Sequence, residues 1–443
     1  MAHFNKIMDG LDDKQAYSFI QTYSLRRGLK HFGDKGRQAV NKELRQLHNR
    51  KVFAPIHMHE LSKQEKARAM ESLIFLTEKR DKSVKARTCA NGSTQRSYIS
   101  REEAASPTAA TESVLITGVI EAKQQRDIIT LDVPNAFVQT PMPQGKDKVI
   151  MKIRGVLVDI LIDLCPGVYD EYIVYEQGQK VLYVEMLMAL YGMLISSILF
   201  YKKFRKDIEA IGFEVNPYDV CVANRQVDTK QHTVSWHVDG VKSSHVNHQV
   251  NETFYNWCES MYGSDNNGHV KVTRGKRHDY LGMILDYSKQ GCLGVDMKYY
   301  MKDMIEEFPY PIKKSRAPWT EKLFKVDKAA KKLDKDRKGI FHCFVMKNML
   351  LCKCGRQDVN PGVGFFSTQV KEATEEDWKK LLKMMGFLLY TINDILSLEA
   401  DDSQTLTWYS DAASYRVNIH LGKGCNLLRF NKAKSKYQEL NRS

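Results

Sequence analysis

Residues 127–133, Asp-Ile-Ile-Thr-Leu-Asp-Val, are apolar and β-branched almost throughout, and Pro134 ends the run. A stretch of this kind reads as a strand buried on both faces, because a half-exposed strand would alternate polar and apolar side chains. Asp132 then sits at the mouth of a buried strand. A carboxylate there is costly unless it is paired or holds a metal, which makes Asp132 a candidate site residue.

Two further strand-like runs, 219–226 and 232–239, flank Val227-Asp228-Thr229-Lys230-Gln231 and read as a hairpin. In the second run Val234, Trp236 and Val238 alternate with Ser235, His237 and Asp239, so Asp239 is expected to leave the core face of the sheet. Between the two acidic strands the pattern predicts a helix capped by Ser196 or Ser197. Its inner face carries Tyr201, Phe204, Ile208 and Ile211, and Gly212 closes it. Strand, helix and hairpin together describe an α+β sheet with helices on one face.

The 443 residues suggest two to four domains at roughly 100–200 residues each. A 43% apolar content excludes disorder of the whole chain. The net charge of +14 is uneven: residues 1–100 carry 20 Lys+Arg against 10 Asp+Glu, which favours a polyanionic partner, nucleic acid before membrane. The first fifty residues read as a basic helical lead-in, with Val40, Leu44 and Leu47 on one face. Ser62-Lys63-Gln64-Glu65 is a capping box that predicts a second helix through Met70, Leu73 and Ile74. The cationic run 79–87 then leads into the Asn91-Gly92 turn, as a charged hairpin or a phosphate-contacting surface.

Residues 313–338 are rich in Lys, Asp and Ala and read as an exposed connector; an apolar helix is expected over 377–398 and a strand over 405–411. Nine scattered cysteines and no apparent leader point to a reducing, intracellular compartment. The longest apolar stretch, 186–201, falls short of the ~20 residues that cross a bilayer and reads as core, so no membrane partner is expected. Cys352 and Cys354 lack zinc-knuckle spacing, and His237, His245 and His248 are not expected to form a metal trio.

Four motifs occur in order: Leu131-Asp132-Val133-Pro134-Asn135-Ala136-Phe137, Ala189-Leu190-Tyr191-Gly192, His237-Val238-Asp239-Gly240 and Tyr280-Leu281-Gly282-Met283. Over residues 40–443 the chain resembles the reverse transcriptase of copia-type LTR retrotransposon polyproteins. The resemblance implies a right-hand polymerase of fingers, palm and thumb, followed by a connection and an incomplete RNase H-like segment. It places fingers and palm at 51–290, thumb and connection at 291–400 and the truncated RNase H remnant at 401–443. It implies template-directed DNA synthesis on an RNA or DNA primer-template, with dNTP as substrate and Mg2+ or Mn2+ as cofactor. Asp132 and Asp239 would be the catalytic, metal-holding carboxylates, and Lys85 and Arg87 would grip the triphosphate. Phe137 matches the sugar gate, Tyr191 and Gly192 would lie under the template and nascent pair, and Tyr280, Leu281, Gly282 and Met283 the primer grip.

Three departures qualify this. The family's turn motif ends in two adjacent aspartates, whereas Gly240 offers no side-chain oxygen to a metal. Leu194 stands where a basic residue is common. Asp411 resembles the first RNase H carboxylate, yet residues 415–443 do not continue as that domain should, and no RNase H activity is expected. Two readings follow: a reverse transcriptase of doubtful activity, and a catalytically inert nucleic-acid-binding remnant of a retroelement.

Overall fold

The computed structural model describes residues 22–78, 82–143, 148–265, 268–327 and 329–400, together with the backbone of 408–409 and 427–428. It is a mixed α and β architecture of three main sheets built around two large apolar cores.

The first sheet has seven strands, among them the hairpin of Met70–Glu78 and Val84–Ala90. The long basic helix Leu25–Asn49 packs on that hairpin through Val40, Leu44 and Leu47. Its Gly28 and Gly36 abut Leu76, where added Cβ atoms would lie 2.9 and 3.1 Å from the leucine side chain, so glycine brings helix and strand together.

The second sheet carries the candidate acids. Its six strands run in the order Lys271–Thr273, Asp127–Asp132, Gly240–His245, Lys230–His237, Val222–Val227 and Glu214–Val215, all antiparallel. Helices Ser196–Ala210 and His248–Tyr262 cover one face, where Trp236 lies 5.4 Å from Phe204, ring to ring. The other face is polar: Thr233 pairs with Ser244, Ser235 with Lys242, and Lys242 with Thr130. Helix Thr111–Gln124 meets that face through a buried ion pair. Lys242 Nζ donates to Glu121 Oε1 and Oε2 at 2.6 and 2.7 Å, and Tyr287 Oη donates to Glu121 Oε2 at 2.6 Å. The third sheet, Arg277–Tyr280, Met283–Asp286, Cys292–Asp296 and Leu396–Glu399, shares the second core with helices Lys335–Cys354, Asn360–Gln369 and Glu375–Tyr390.

Several expectations change. The Ser62–Glu65 capping box forms, but its helix stops at Arg68 and Met70–Glu78 is a strand. Phe75, Leu76 and Thr77 suit a pleated surface, and the register with 84–90 outweighs the helical spacing. The helix expected over 377–398 ends at Tyr390, and Leu396–Glu399 pairs with Cys292–Asp296 instead. A boundary near residue 290 would therefore cut the third sheet. The 313–338 segment is not a free connector: Ser315 N donates to Gly386 O at 3.0 Å, Leu323 and Leu333 are buried, and a helix begins at Lys335. The strand expected over 405–411 is described only as the backbone of Trp408–Tyr409, which pairs with Leu427–Leu428; Asp411 and the rest of the expected RNase H remnant lie outside the described residues. Among the described residues no helix is long and apolar enough to cross a membrane.

Candidate functional site

At the front edge of the second sheet, four neighbouring strands place four residues side by side. His237 pairs with Gly240, Gly240 with Asp132, and Asp132 with Lys271. Cross-strand partners share a face, so Asp132 is flanked by a glycine on one side and an ammonium group on the other. Lys271 Nζ stands 4.0 Å from Asp132 Oδ2.

Asp239 does not lie on a strand, as the alternation had suggested. The strand ends at His237 and the next begins at Gly240, so Val238 and Asp239 form a two-residue turn. Val238 has φ 57°, a strained value for a β-branched side chain. Asp239 O accepts from Val133 N at 2.9 Å, which ties the turn to the end of the acid strand. The two carboxylates are near enough to interact. Partial burial and the Asp239 charge push the Asp132 carboxyl above its ordinary range, while Lys271, Lys85 and Arg87 oppose that rise.

The cations come from Val84–Ala90, whose alternation turns Lys85 and Arg87 outward and Ala86 and Thr88 inward. The Arg87 guanidinium lies 4.1 Å from the Tyr191 ring centroid, and Tyr191 lies 4.8 Å from the Phe137 ring. Phe137 is buried, so it fills core as well as facing Tyr191. Burial raises the Tyr191 hydroxyl; the charge of Arg87 opposes this, and those of Asp239, Glu43 and Asp132 add to it. Lys85, Arg87, Asp132, Tyr191 and Asp239 thus share one electrostatic neighbourhood.

Glu43 and Lys271 were not singled out from the sequence. Glu43 Oε1 accepts from Thr88 N at 2.8 Å, joining the long helix to the cationic strand, and burial raises its carboxyl. The backbone partner lies 45 residues away, and no local pattern marks it.

Gly192 has a different reason than the resemblance implies. Its φ is +88°, and an added Cβ would lie 2.1 Å from Ala90 O. Gly92 meets Gly192 O in the same way at 2.3 Å, Ala90 N donates to Tyr191 O at 2.7 Å, and Leu194 N donates to the buried Gln95 Oε1 at 2.8 Å. These glycines let two backbones touch, which fixes Tyr191 against the strand bearing Arg87. Tyr280, Leu281, Gly282 and Met283 form a tight hairpin with φ 54° at Leu281 and 76° at Gly282. Tyr280 and Met283 are buried in the second core, so only the turn faces outward.

A pair of polymerase metals needs more oxygen donors than this site offers. Gly240 supplies no side-chain ligand, Lys271 places a cation beside Asp132, and among the described residues no group of three His, Cys, Asp or Glu side chains could hold a metal ion. The residues present do not fit a complete two-metal centre.

No protein-family model matches the chain, and no curated protein matches it. Among solved structures it is similar to the foamy viral protease-reverse transcriptase in complex with ds DNA, with a TM-score of 0.41 and 14% sequence identity over 83% of this chain. The chain spans 50% of the length of that structure's chain.

Proposed function

We propose that this chain is the reverse-transcriptase-like portion of a copia-type retroelement protein. The face that carries Asp132 and Arg87 binds a primer-template duplex and the triphosphate of a dNTP, and template-directed DNA synthesis is reduced to a residual level by glycine at position 240. The observation that carries this reading is the convergence of Lys85, Arg87, Asp132, Tyr191 and Asp239 from four distant segments. In it, Lys85 and Arg87 take the phosphates, Arg87 by its two-pronged fork. Phe137 and Tyr191 bound the side where sugar and base would lie, and Asp132 and Asp239 are the remaining acids of the transfer centre.

A primer-extension assay on the wild type, Gly240→Asp and Asp132→Asn tests it. A Cβ at position 240 would meet only His237 O, at 3.6 Å, so the first atom of a side chain there displaces nothing. Restoring a ligand is expected to raise extension by at least about tenfold, an effect of ~1.4 kcal/mol on the barrier, while Asp132→Asn abolishes it. Robust wild-type extension that Gly240→Asp does not improve refutes the role given to Gly240.

A second reading is a catalytically inert nucleic-acid-binding remnant. It is favoured by Lys271, whose exposed ammonium supplies Asp132 with a weak counter-charge at 4.0 Å without a metal. Primer-template binding that weakens steeply with salt, with no incorporation by the wild type or by Gly240→Asp, selects this reading.

A further inference from the structure

On the polar face of the second sheet, far along the strand from Asp132, a cavity of about 160 Å³ opens between the end of helix Thr111–Gln124, the start of strand Asp127–Asp132 and two loops of the third sheet. Glu121, Gln125, Arg126, Lys276, Tyr287 and Ser288 are among its lining residues. Arg126 is 3% exposed. Its Nε donates to Gln124 Oε1 at 2.8 Å, and its Nη1 donates to Thr233 Oγ1 at 3.0 Å and Ser244 Oγ at 3.4 Å. All three acceptors are neutral, Nη2 takes no protein partner, and no carboxylate lies within ion-pair distance of this guanidinium among the described residues.

A buried guanidinium without a bonded carboxylate is costly. Burial holds Arg126 below its ordinary range and the charge of Glu121 only partly opposes this, since no neighbouring acid is free to bond it. Glu121 is already bonded to Lys242 at both oxygens and to Tyr287. Asp127, next in the chain, turns to the opposite face, where it meets Asn251 and His248. Two carbonyls of the last helical turn, Glu121 O and Ala122 O, accept from Arg126 N and Gln125 N. Lys276 at the rim adds a second cation that makes no ion pair among the described residues. Lys242 and Glu121 cancel, which leaves Arg126 and Lys276 in excess.

We propose that this cavity is an oxyanion site that binds a phosphate group, held by Arg126 Nη2 from within and by Lys276 at the mouth. The unused prong of a guanidinium is suited to a phosphate oxygen, and the cavity has room for one such group. The ligand is inorganic phosphate or the terminal phosphate of a nucleic-acid strand, which present the same chemistry. The site joins the second and third sheets, and its occupation would tighten that joint. It does not depend on the polymerase reading.

Calorimetric titration of the full chain with inorganic phosphate, in phosphate-free buffer of low ionic strength, tests the proposal. One saturable site is expected. Lys276→Glu and Gln125→Glu, both exposed at the rim, should each weaken it by about tenfold or more without changing the melting temperature in phosphate-free buffer. Arg126→Met should abolish binding in protein whose circular dichroism is unchanged; since that variant can fail to fold, the rim variants decide. Competition with a thymidine dinucleotide, with and without a 5′-phosphate, distinguishes the sources. Preferential binding of the phosphorylated form supports the site with a strand end as ligand, and binding of inorganic phosphate alone supports it with the free ion. No saturable heat from folded wild type up to about 10 mM phosphate, or rim variants that bind as the wild type does, overturns it.

Discussion

His232 makes the stability of the second sheet depend on pH in a way that can be calculated. The residue is fully buried on Lys230–His237, and both ring nitrogens are occupied: Nδ1 accepts from Arg225 Nε at 3.2 Å, and Nε2 meets Ser243 Oγ at 2.8 Å. A second proton would have to sit on Nδ1, facing a guanidinium. Burial first, then the charges of Arg225, His245 and Arg126, bring the imidazole down to about 3. The folded state therefore refuses a proton that the unfolded chain accepts near its ordinary ~6.5. Stability is complete above that value, falls as pH drops through it, and stops falling once pH reaches about 3. Between pH 7.5 and pH 5.0 this one group removes about 2 kcal/mol.

The perturbation is His232→Gln, which keeps a donor for Ser243 and cannot titrate. Urea unfolding at the two pH values, followed by tryptophan fluorescence with Trp236 and Trp257 reporting the first core, gives the change for each protein. The wild type should lose about 2 kcal/mol more than the variant on acidification. Taking the difference across pH cancels whatever the substitution costs by itself. If the two proteins lose stability in parallel, within about 0.5 kcal/mol, the argument from blocked protonation is wrong.

Gly192→Ala is expected to cost about 3 kcal/mol or more, since the new Cβ meets Ala90 O. Gly212→Ala, at the same φ of +88° with nothing within 4 Å, should cost only about 1 kcal/mol, and equal thermal shifts for the two would remove the backbone contact as the cause. Lys242→Met leaves Glu121 buried without its ion-pair partner, which predicts a loss of about 3 kcal/mol in denaturant unfolding. Adding Glu121→Gln, which preserves an acceptor for Tyr287, should recover most of that loss, and a double variant as unstable as the single one would contradict the ion-pair account. Arg87→Ala should weaken primer-template binding and lower the slope of log affinity against log salt by about 0.9, as read by filter binding; an unchanged slope would show that Arg87 does not meet a phosphate.

The strand bearing Asp132 could be read from its residues because burial on both faces leaves a continuous apolar run. The neighbourhood of Asp239 was legible only in part. Val234, Trp236 and Val238 alternate as a strand should, yet Val238 sits in the turn at a backbone angle that β-branched residues avoid. The Ser62 capping box told correctly where a helix starts, but nothing local told where it stops, because Met70–Glu78 is held by its register with Val84–Ala90. Glu43, Lys271 and the Glu121–Lys242 pair were invisible for a common reason. Each takes its meaning from a partner far along the chain, and cross-strand register on a short edge strand such as Lys271–Thr273 leaves no periodic trace.

The stack of Arg87 on Tyr191 imposes a competition on any ligand that would recruit the same guanidinium. Held 4.1 Å over the ring, the cation already has a favourable resting partner. A phosphate that draws it away forfeits a contact worth roughly 0.5–2 kcal/mol, which amounts to a two- to thirty-fold reduction in apparent affinity. Replacing Tyr191 with leucine would lift that toll while keeping an apolar neighbour for Phe137. The tyrosine would then act as an internal competitor, setting how much of such a ligand is needed before Arg87 changes partners.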